Sequence, residues 1–300
     1  MIHPGVSATV QDAGRAGYAA LGVGASGAMD RSSFAQANAI VGNSKDEAAL
    51  ELLGAGLQVL AETDQVVTVT GAASQLTIRH ESDGASARTR IPRGNVPFAL
   101  LAGEVLTIDA AERGMWSYLA IRGGMLMPAV LGSRSRDTHS GLGPSPLVAG
   151  DRIPIRPAPV SAVVTMAEAP EFERGAEIEL RIIPGPREDW FTEASVEEFF
   201  SVPWVVSNQF SRTAARLTGP ALERIVTDEL QSEGLVRGSV QVPPDGQPLI
   251  FAADHPVTGG YPVIGVVVDS DLDAAAQLGP GCTVRFVRVS RPVDEEWEEE

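Results

Sequence analysis

The sequence predicts a mainly β protein made of two β-rich domains with short helices, and three observations predict it. Thirty-one glycines and 21 prolines, against three tyrosines and four tryptophans, imply many turns and few long helices. Apolar runs of about five residues, the usual strand length, recur between turn signals. Gly-containing turns feed directly into strands at Leu101-Ala-Gly-Glu-Val-Leu-Thr-Ile, Leu147-Val-Ala-Gly-Asp-Arg-Ile-Pro-Ile and Leu278-Gly-Pro-Gly-Cys-Thr-Val-Arg-Phe. That repetition suits barrel-like sheets rather than a helix-flanked parallel sheet.

Three hundred residues are long for one core and suit two, since domains run about 100 to 200 residues. With 44% hydrophobic and 21% charged residues, the chain has the composition of an ordinary folded protein. A formal net charge of −16 argues against the basic face that nucleic acids and anionic membranes require. Cys282 stands alone, so no intramolecular disulfide and no cysteine-based zinc site is expected, and no metal site is suggested. No leading charged-then-apolar segment and no apolar run near the roughly 20 residues of a bilayer span is found, which points to the cytoplasm. Lys45 is the only lysine, so a P-loop is excluded and cationic roles fall to arginine.

Taken in order, residues 4–30 are too dense in glycine for a helix or plain strand and read as a short strand (Ala8 to Val10) followed by a shaped loop. Within it, Asp12 and Arg15 either pair to pin the loop or present binding groups. Asp30 is a good N-cap for a helix carrying Phe34, Ala37, Asn38, Ile40 and Val41, stopped by Gly42-Asn43. Glu47 to Leu53 is helical or extended; Asn38, Asn43 and Glu51 are either satisfied buried polar groups or ligand contacts. Short strands follow at Gln65 to Thr70, Gln75 to Arg79, Val96 to Leu101, Val105 to Ile108, Trp116 to Ile121 and Arg152 to Ile155. Arg122, ahead of Gly123-Gly124, can present a guanidinium, whereas Arg134 and Arg136 suit a solvated loop.

Residues 1–156 therefore form an N-terminal β-rich domain. Residues 157–177, rich in Pro, Ala and Glu, form a linker, and 178–293 a second domain. The run at 294–300, with six acidic residues in seven, reads as a solvated tail. In the second domain, a strand at Ile178 to Ile183 leads to a short helix over Ala194 to Phe200 and a strand at Trp204 to Ser207. Val236 to Val242 and Pro248 to Ala253 flank Pro243-Pro244-Asp245-Gly246, a hairpin signal in which proline fixes φ and glycine supplies a positive φ. A last helix over Asp271 to Gln277 and a strand over Thr283 to Val289 complete the chain.

The motifs VQDAGRAGY, GASGAMD, LGSRSRD, IIPGPREDWF and SEG..RGSVQVPPDGQP....AD..TGGYP, in this order, resemble the KipA family, also known as the 5-oxoprolinase C subunit, the biotin-dependent carboxyltransferase-like proteins and allophanate hydrolase subunit 2. One departure falls at Phe210 to Leu217, where both arginines of the family pattern stand but its acid and glycine are missing. The resemblance implies a cyclophilin-like β-barrel at least in the C-terminal half. It implies KipI-like and LamB/YcsF-like subunits as partners and ATP, with Mg, as cofactor of the complex, which opens 5-oxo-L-proline to L-glutamate. The alternatives it implies are half of a biotin-dependent carboxyltransferase related to urea carboxylase, with biotin on a separate carrier, or a regulatory protein that binds a KipI-like partner without chemistry of its own.

Chemistry of this kind needs cations and hydrogen-bond donors aimed at developing negative charge. Arg15, Arg122 and Arg212 are candidate clamps for phosphate or carboxylate, because a guanidinium grips either bidentately. Asp254 and His255 are candidate acid and base, although with no second histidine nearby the reading favoured for His255 is a structural hydrogen bond in the turn before Pro256. Gly259 and Gly260 would lend backbone N–H groups. Asp30, Gln241, Asp245, Gln247, Thr258 and Tyr261 are the remaining binding candidates, most of them at loop ends of the hairpin unit Ser232 to Pro262.

Overall fold

The computed structural model describes residues 1–54, 56–81, 89–164 and 177–289. In the N-terminal half the elements are β1 (His3–Pro4), β2 (Ser7–Gln11), α1 (Arg31–Ile40), β3 (Ala49–Leu53), β4 (Leu57–Leu60), β5 (Gln65–His80), β6 (Phe98–Leu100) and β7 (Glu104–Ile121). They form a seven-stranded sheet in the order β1-β4-β7-β3-β2, with β5 pairing both β7 and β6. Along one edge β7 serves two partners, β4 near its start (Leu57 opposite Ile108) and β3 near its end (Leu53 opposite Trp116). β5 follows its other edge from Val67 opposite Ile121 to His80 opposite Glu104.

The sequence suggests four separate short strands where β5 and β7 run unbroken for 16 and 18 residues. Register shifts between Gly71 and Leu76 admit extra residues, so the pair bends without losing its ladder. Gly71 (φ 85°) and Gly114 (φ 78°), which fall between the expected strands, supply the left-handed backbone at that bend. Of the run Glu47 to Leu53, Ala49–Leu53 resolves as a strand because β2 and β7 pair with it from both sides. The strand expected at Arg152 to Ile155 is reduced to an isolated bridge between Met125 and Ile155, since Pro154 has no N–H to donate.

The C-terminal half contains β8 (Glu177–Pro184), α2 (Glu193–Ser201), β9 (Trp204–Phe210), β10 (Ala214–Thr218), β11 (Glu233–Gly234), β12 (Ser239–Gln241), β13 (Leu249–Phe251), β14 (Thr258–Gly259), β15 (Val263–Val267), α3 (Leu272–Ala276) and β16 (Thr283–Arg288). Seven of these strands close into a barrel in the order β10-β13-β12-β15-β8-β16-β9, which removes the exposed edges an open sheet would leave. The expected hairpin is present: Val240 opposes Ile250 and Gln241 opposes Leu249, and Gly246 (φ 74°) closes the turn by donating to Pro243 O at 3.0 Å. Leu180, Ile182, Trp204, Val240 and Ile264 fill the core. Helix α2, capped by Thr192, packs Phe199 against Phe286 with ring centroids 4.5 Å apart.

A third apolar cluster joins the halves. Met29, Phe34, Ala37, Trp116 and Tyr118 from the first half meet Ala253 and Ala276 from the second. The first part of the expected linker lies against the N-terminal half, where Arg122 donates to Pro159 O at 2.7 Å and Val164 N to Ile40 O at 2.9 Å. Residues 165–176 of that linker, and the acidic tail 294–300, lie outside the described residues. Among the described residues no helix is long and apolar enough to cross a membrane. Truncating Phe199 to Ala leaves a cavity at the centre of the barrel core and is expected to cost about 3–5 kcal/mol, seen in urea titration as a lower midpoint with an unchanged slope.

Candidate functional site

The densest polar arrangement lies where the two halves meet. Arg212 sits in the tight turn between β9 and β10, held by Ser211 N donating to Ala214 O at 2.9 Å. From there its guanidinium enters the junction, with 5% of the residue exposed. Nη1 donates to Glu51 on β3, while Nε and Nη2 grip the two oxygens of Asp254 at 2.8 Å each. Nη2 also reaches Gly27 O at 2.6 Å. Each carboxylate is 1% exposed and carries further donors. Asp254 accepts from Ser26 Oγ at 2.6 Å and from the N–H and hydroxyl of Thr138 at 2.8 and 2.7 Å. Glu51 accepts from Met29 N at 2.7 Å and Tyr118 OH at 2.9 Å.

The network continues beyond the triad. Tyr118 OH accepts from Asp30 N at 2.7 Å, and the Asp30 carboxylate, which caps α1 through Ser33 N, also takes Gln277 Nε2 at 2.7 Å. Gln277 Oε1 in turn accepts from Met115 N and Trp116 N. Asp273, in α3, takes Arg31 N and Ser32 N at the start of α1. Arg237 donates to the carbonyls of Ala28 and Met29. One half thus caps and pins the first helix of the other.

Burial and pairing set the charges. Burial opposes the charge on Arg212, but Glu51 and Asp254 outweigh it and hold the proton more tightly than usual. Burial would also raise Asp254, yet the Arg212 charge and hydrogen bonds bring it below the ordinary carboxylate range. Glu51, fully enclosed, is raised by burial despite the same guanidinium. Burial lowers His255.

Two loops rest on this network. Asp12 fixes both: its carboxylate accepts from Gly14 N at 2.8 Å, Ser133 Oγ and Ser135 Oγ at 2.6 Å each, and Arg134 N. Asp12 therefore pins the loop through the LGSRSRD segment and not through Arg15, which donates from Nη2 to Ser135 O. Ser133, Ser135 and Asp137 are buried, so this segment is an internal strut where a solvated loop was expected. Arg134 ties to Met127 O and Arg136 to Gly141 O.

The sequence-predicted residues fall in separate places. Arg15, Asp30, Arg212, Asp254 and His255 gather at the junction; His255 Nδ1 lies 2.7 Å from Pro256 O, and its own carbonyl faces Gly24 of the first loop. Gln241, Thr258, Gly259, Gly260 and Tyr261 sit near the β11–β14 pair: Gln241 Nε2 donates to Tyr261 O at 2.9 Å, and Gly259 pairs with Glu233. There Arg187 of the IIPGPREDWF motif forks Glu233 and lies over the Trp190 ring, its guanidinium carbon 5.7 Å from the centroid. Asp245 and Gln247 lie at the hairpin turn and are engaged with Arg216 and with the N–H and O of Gly219. Arg122 spends its guanidinium on the carbonyls of Val41, Pro159 and Ser161. Sequence reasoning placed Glu51 among buried polar residues and held Ser26 within the GASGAMD motif, but it missed Tyr118, Gln277 and Thr138. For Glu51 the signal was a lone carboxylate inside the apolar run Ala49-Leu-Glu-Leu-Leu; the others carry none.

The family pattern described as carboxyltransferase domain, subdomain A and B, matches residues 21–288. The chain belongs to this carboxyltransferase-domain family. It is 36% identical to the 5-oxoprolinase C subunit of Escherichia coli over 293 residues, 97% of this chain and 91% of that one. It superposes on the crystal structure of the K. lactis urea amidolyase with a TM-score of 0.88 and 30% identity, spanning 96% of this chain and 18% of that one. It superposes on the crystal structure of TTHA0988 with a TM-score of 0.81 and 29% identity, spanning 95% of this chain and 54% of that one.

Removing Arg212 alone strands two buried carboxylates. Arg212→Met is expected to cost about 3–5 kcal/mol, and adding Glu51→Gln and Asp254→Asn to it should restore most of that loss, read from chemical denaturation of the single and triple variants. His255, lowered in the folded chain, contributes stability that is present above its ordinary value near pH 6.5 and declines as pH falls below it. His255→Gln is expected to flatten the decline of the urea midpoint between about pH 7 and pH 5.

Proposed function

We propose that this chain is the C subunit of a cytoplasmic 5-oxoprolinase that acts with KipI-like and LamB/YcsF-like subunits to hydrolyse 5-oxo-L-proline to L-glutamate with ATP. The observation that carries this reading is the end-to-end match to the Escherichia coli protein, 36% identical over nearly all of both chains. The whole two-part fold is covered by that match, including both sides of the junction.

The site suits a subunit that is inactive alone. Both oxygens of Asp254 and of Glu51 are engaged internally, and Arg212 is committed to them, so in this reading the triad positions the loops and does not transfer protons. His255 is the base candidate. Pro256 O can only accept, so the ring proton sits on Nδ1 and Nε2 keeps its lone pair; burial keeps that imidazole neutral near pH 7. It would take the proton from the water that adds across the lactam C–N bond.

The junction does not fit a nucleoside triphosphate. Asp12, Asp137, Asp254 and Glu51 crowd it with carboxylates, and Arg212 and Arg237 are already engaged by protein acceptors. ATP with its Mg is accordingly assigned to the partner subunits. A second reading rests on the fit to the urea amidolyase structure: a half of a biotin-dependent carboxyltransferase, served by biotin on a separate carrier.

Mixing the chain with both partners, ATP and 5-oxo-L-proline should release L-glutamate, with no turnover when any one protein is omitted and no effect of avidin. Absence of glutamate from the complete mixture would overturn the reading, and avidin-sensitive carboxyl transfer to urea would establish the second one in its place.

A further inference from the structure

The loop that follows β2 leaves one charge unanswered. Arg15 is 2% exposed, and beyond the Nη2 bond to Ser135 O its Nε and Nη1 have no hydrogen-bond partner among the described residues. Its neighbour Asp12 gives it no hydrogen bond, its oxygens being taken by Gly14, Ser133, Arg134 and Ser135. Gln11 is equally enclosed; its Nε2 donates to Thr9 and to Arg136 O, while its Oε1 has no partner among the described residues. Orphaned donors and an orphaned acceptor thus flank the same Ser135-Arg136 segment. Buried polar groups are nearly always paired, and an enclosed cation without a counter-anion is strongly disfavoured.

The chain above Arg15 is built to lift. At its foot the two arms touch backbone to backbone. Gly14 and Gly27 hold φ of 90° and 94°, and a Cβ on Gly14 would stand 2.6 Å from Ala25 O. Arg15 N donates to Ala25 O at 2.7 Å and Ala28 N to Asp12 O at 3.0 Å, so the foot is fixed. The backbone bonds of the tip stay within it: Leu21 and Val23 donate to Tyr18 O and Gly22 to Ala19 O. Leu21 is 77% exposed. Such a tip can open without breaking the fold.

We infer that Arg15 is the receptor for the carboxylate of a small monoanionic substrate and that residues 16–24 are the lid closing over it. The inference rests on the reading as a 5-oxoprolinase subunit and adds to it the group that holds the substrate's acid. A single guanidinium with two free donors, Nε and Nη1, suits one carboxylate. The orphaned Gln11 Oε1, on the same Ser135-Arg136 segment, is left to accept an N–H.

Amide hydrogen exchange of the full chain, alone and in its complex, tests this. 5-Oxo-L-proline should slow exchange across residues 13–27, and 2-pyrrolidinone, the same ring without its carboxylate, should not. In the complex, Arg15→Gln should raise KM for 5-oxo-L-proline at least tenfold with a smaller change in kcat, and Arg15→Lys should recover part of it. Should Arg15→Gln fail to fold, the Arg Nε–H resonance of the unaltered chain is followed instead, and a saturable shift with 5-oxo-L-proline is expected. Equal protection by both rings, no protection by either, an unmoved Nε–H signal, or a retained KM in Arg15→Gln would overturn the inference and leave Arg15 hydrated by ordered water only. Acetate shifting the Arg15 signal in a complex that makes no glutamate would uphold the anion site while overturning the 5-oxoprolinase reading.

Discussion

One guanidinium determines how the two halves of this protein sit together. Arg212 leaves the β9–β10 turn of the barrel and ends between a carboxylate of the other half, Glu51, and one of its own, Asp254. A charge so enclosed is tolerable only if its partners are placed accurately, because losing either strands the rest in a medium of low polarity. The consequence reaches outward: Glu51 fixes Met29 N and Tyr118, Tyr118 fixes the start of α1, and Asp254 fixes Ser26 and Thr138. The loops at 12–30 and 133–142, pinned to each other by Asp12, are thereby anchored to the opposite half of the chain.

Much of the architecture was legible in the sequence because it follows from local rules. Asp30 as a cap, the Pro-Pro-Asp-Gly hairpin turn and the strand feeding from Gly-Cys at 281–282 depend on residues a few positions apart, and each formed as its chemistry dictates. The long strands did not read through, because Gly71 and Gly114 look like turn residues when only neighbours are considered. They act as bends within a continuous ladder once partners are supplied. The same distinction divides the site. Arg212 and Asp254 stood out as charged residues in a Gly- and Pro-marked β unit, yet Gln277 and Tyr118 are 161 and 67 residues from Trp116 and Glu51, which they serve, and no local pattern announces them. Arg122, Asp245 and Gln247 show the converse case. Polar residues at loop ends attract a functional reading, and here carbonyls, Arg216 and the backbone of Gly219 satisfy them.

The division of labour that emerges matches a component of a larger assembly. A closed barrel and a bent sheet supply rigidity, the ion triad sets their relation, and the loops above it carry His255 and Arg15, the groups proposed for chemistry. The family's members include proteins in which the matching region is a small part of a longer chain, as in the K. lactis urea amidolyase, where it spans 18%. A rigid unit with loops tuned from within can be combined with different neighbours while keeping its own geometry.

The central claim is that the triad, and not local sequence, holds these loops. Native-state hydrogen exchange on Glu51→Gln tests it most directly, since the substitution keeps the shape and the Met29 contact but removes one charge from the triad. The account predicts that the amides of Arg15, Ala28, Arg136 and Asp254 lose protection together, while barrel amides such as Val267 keep theirs. Unchanged protection at those four amides in a folded Glu51→Gln chain would contradict it.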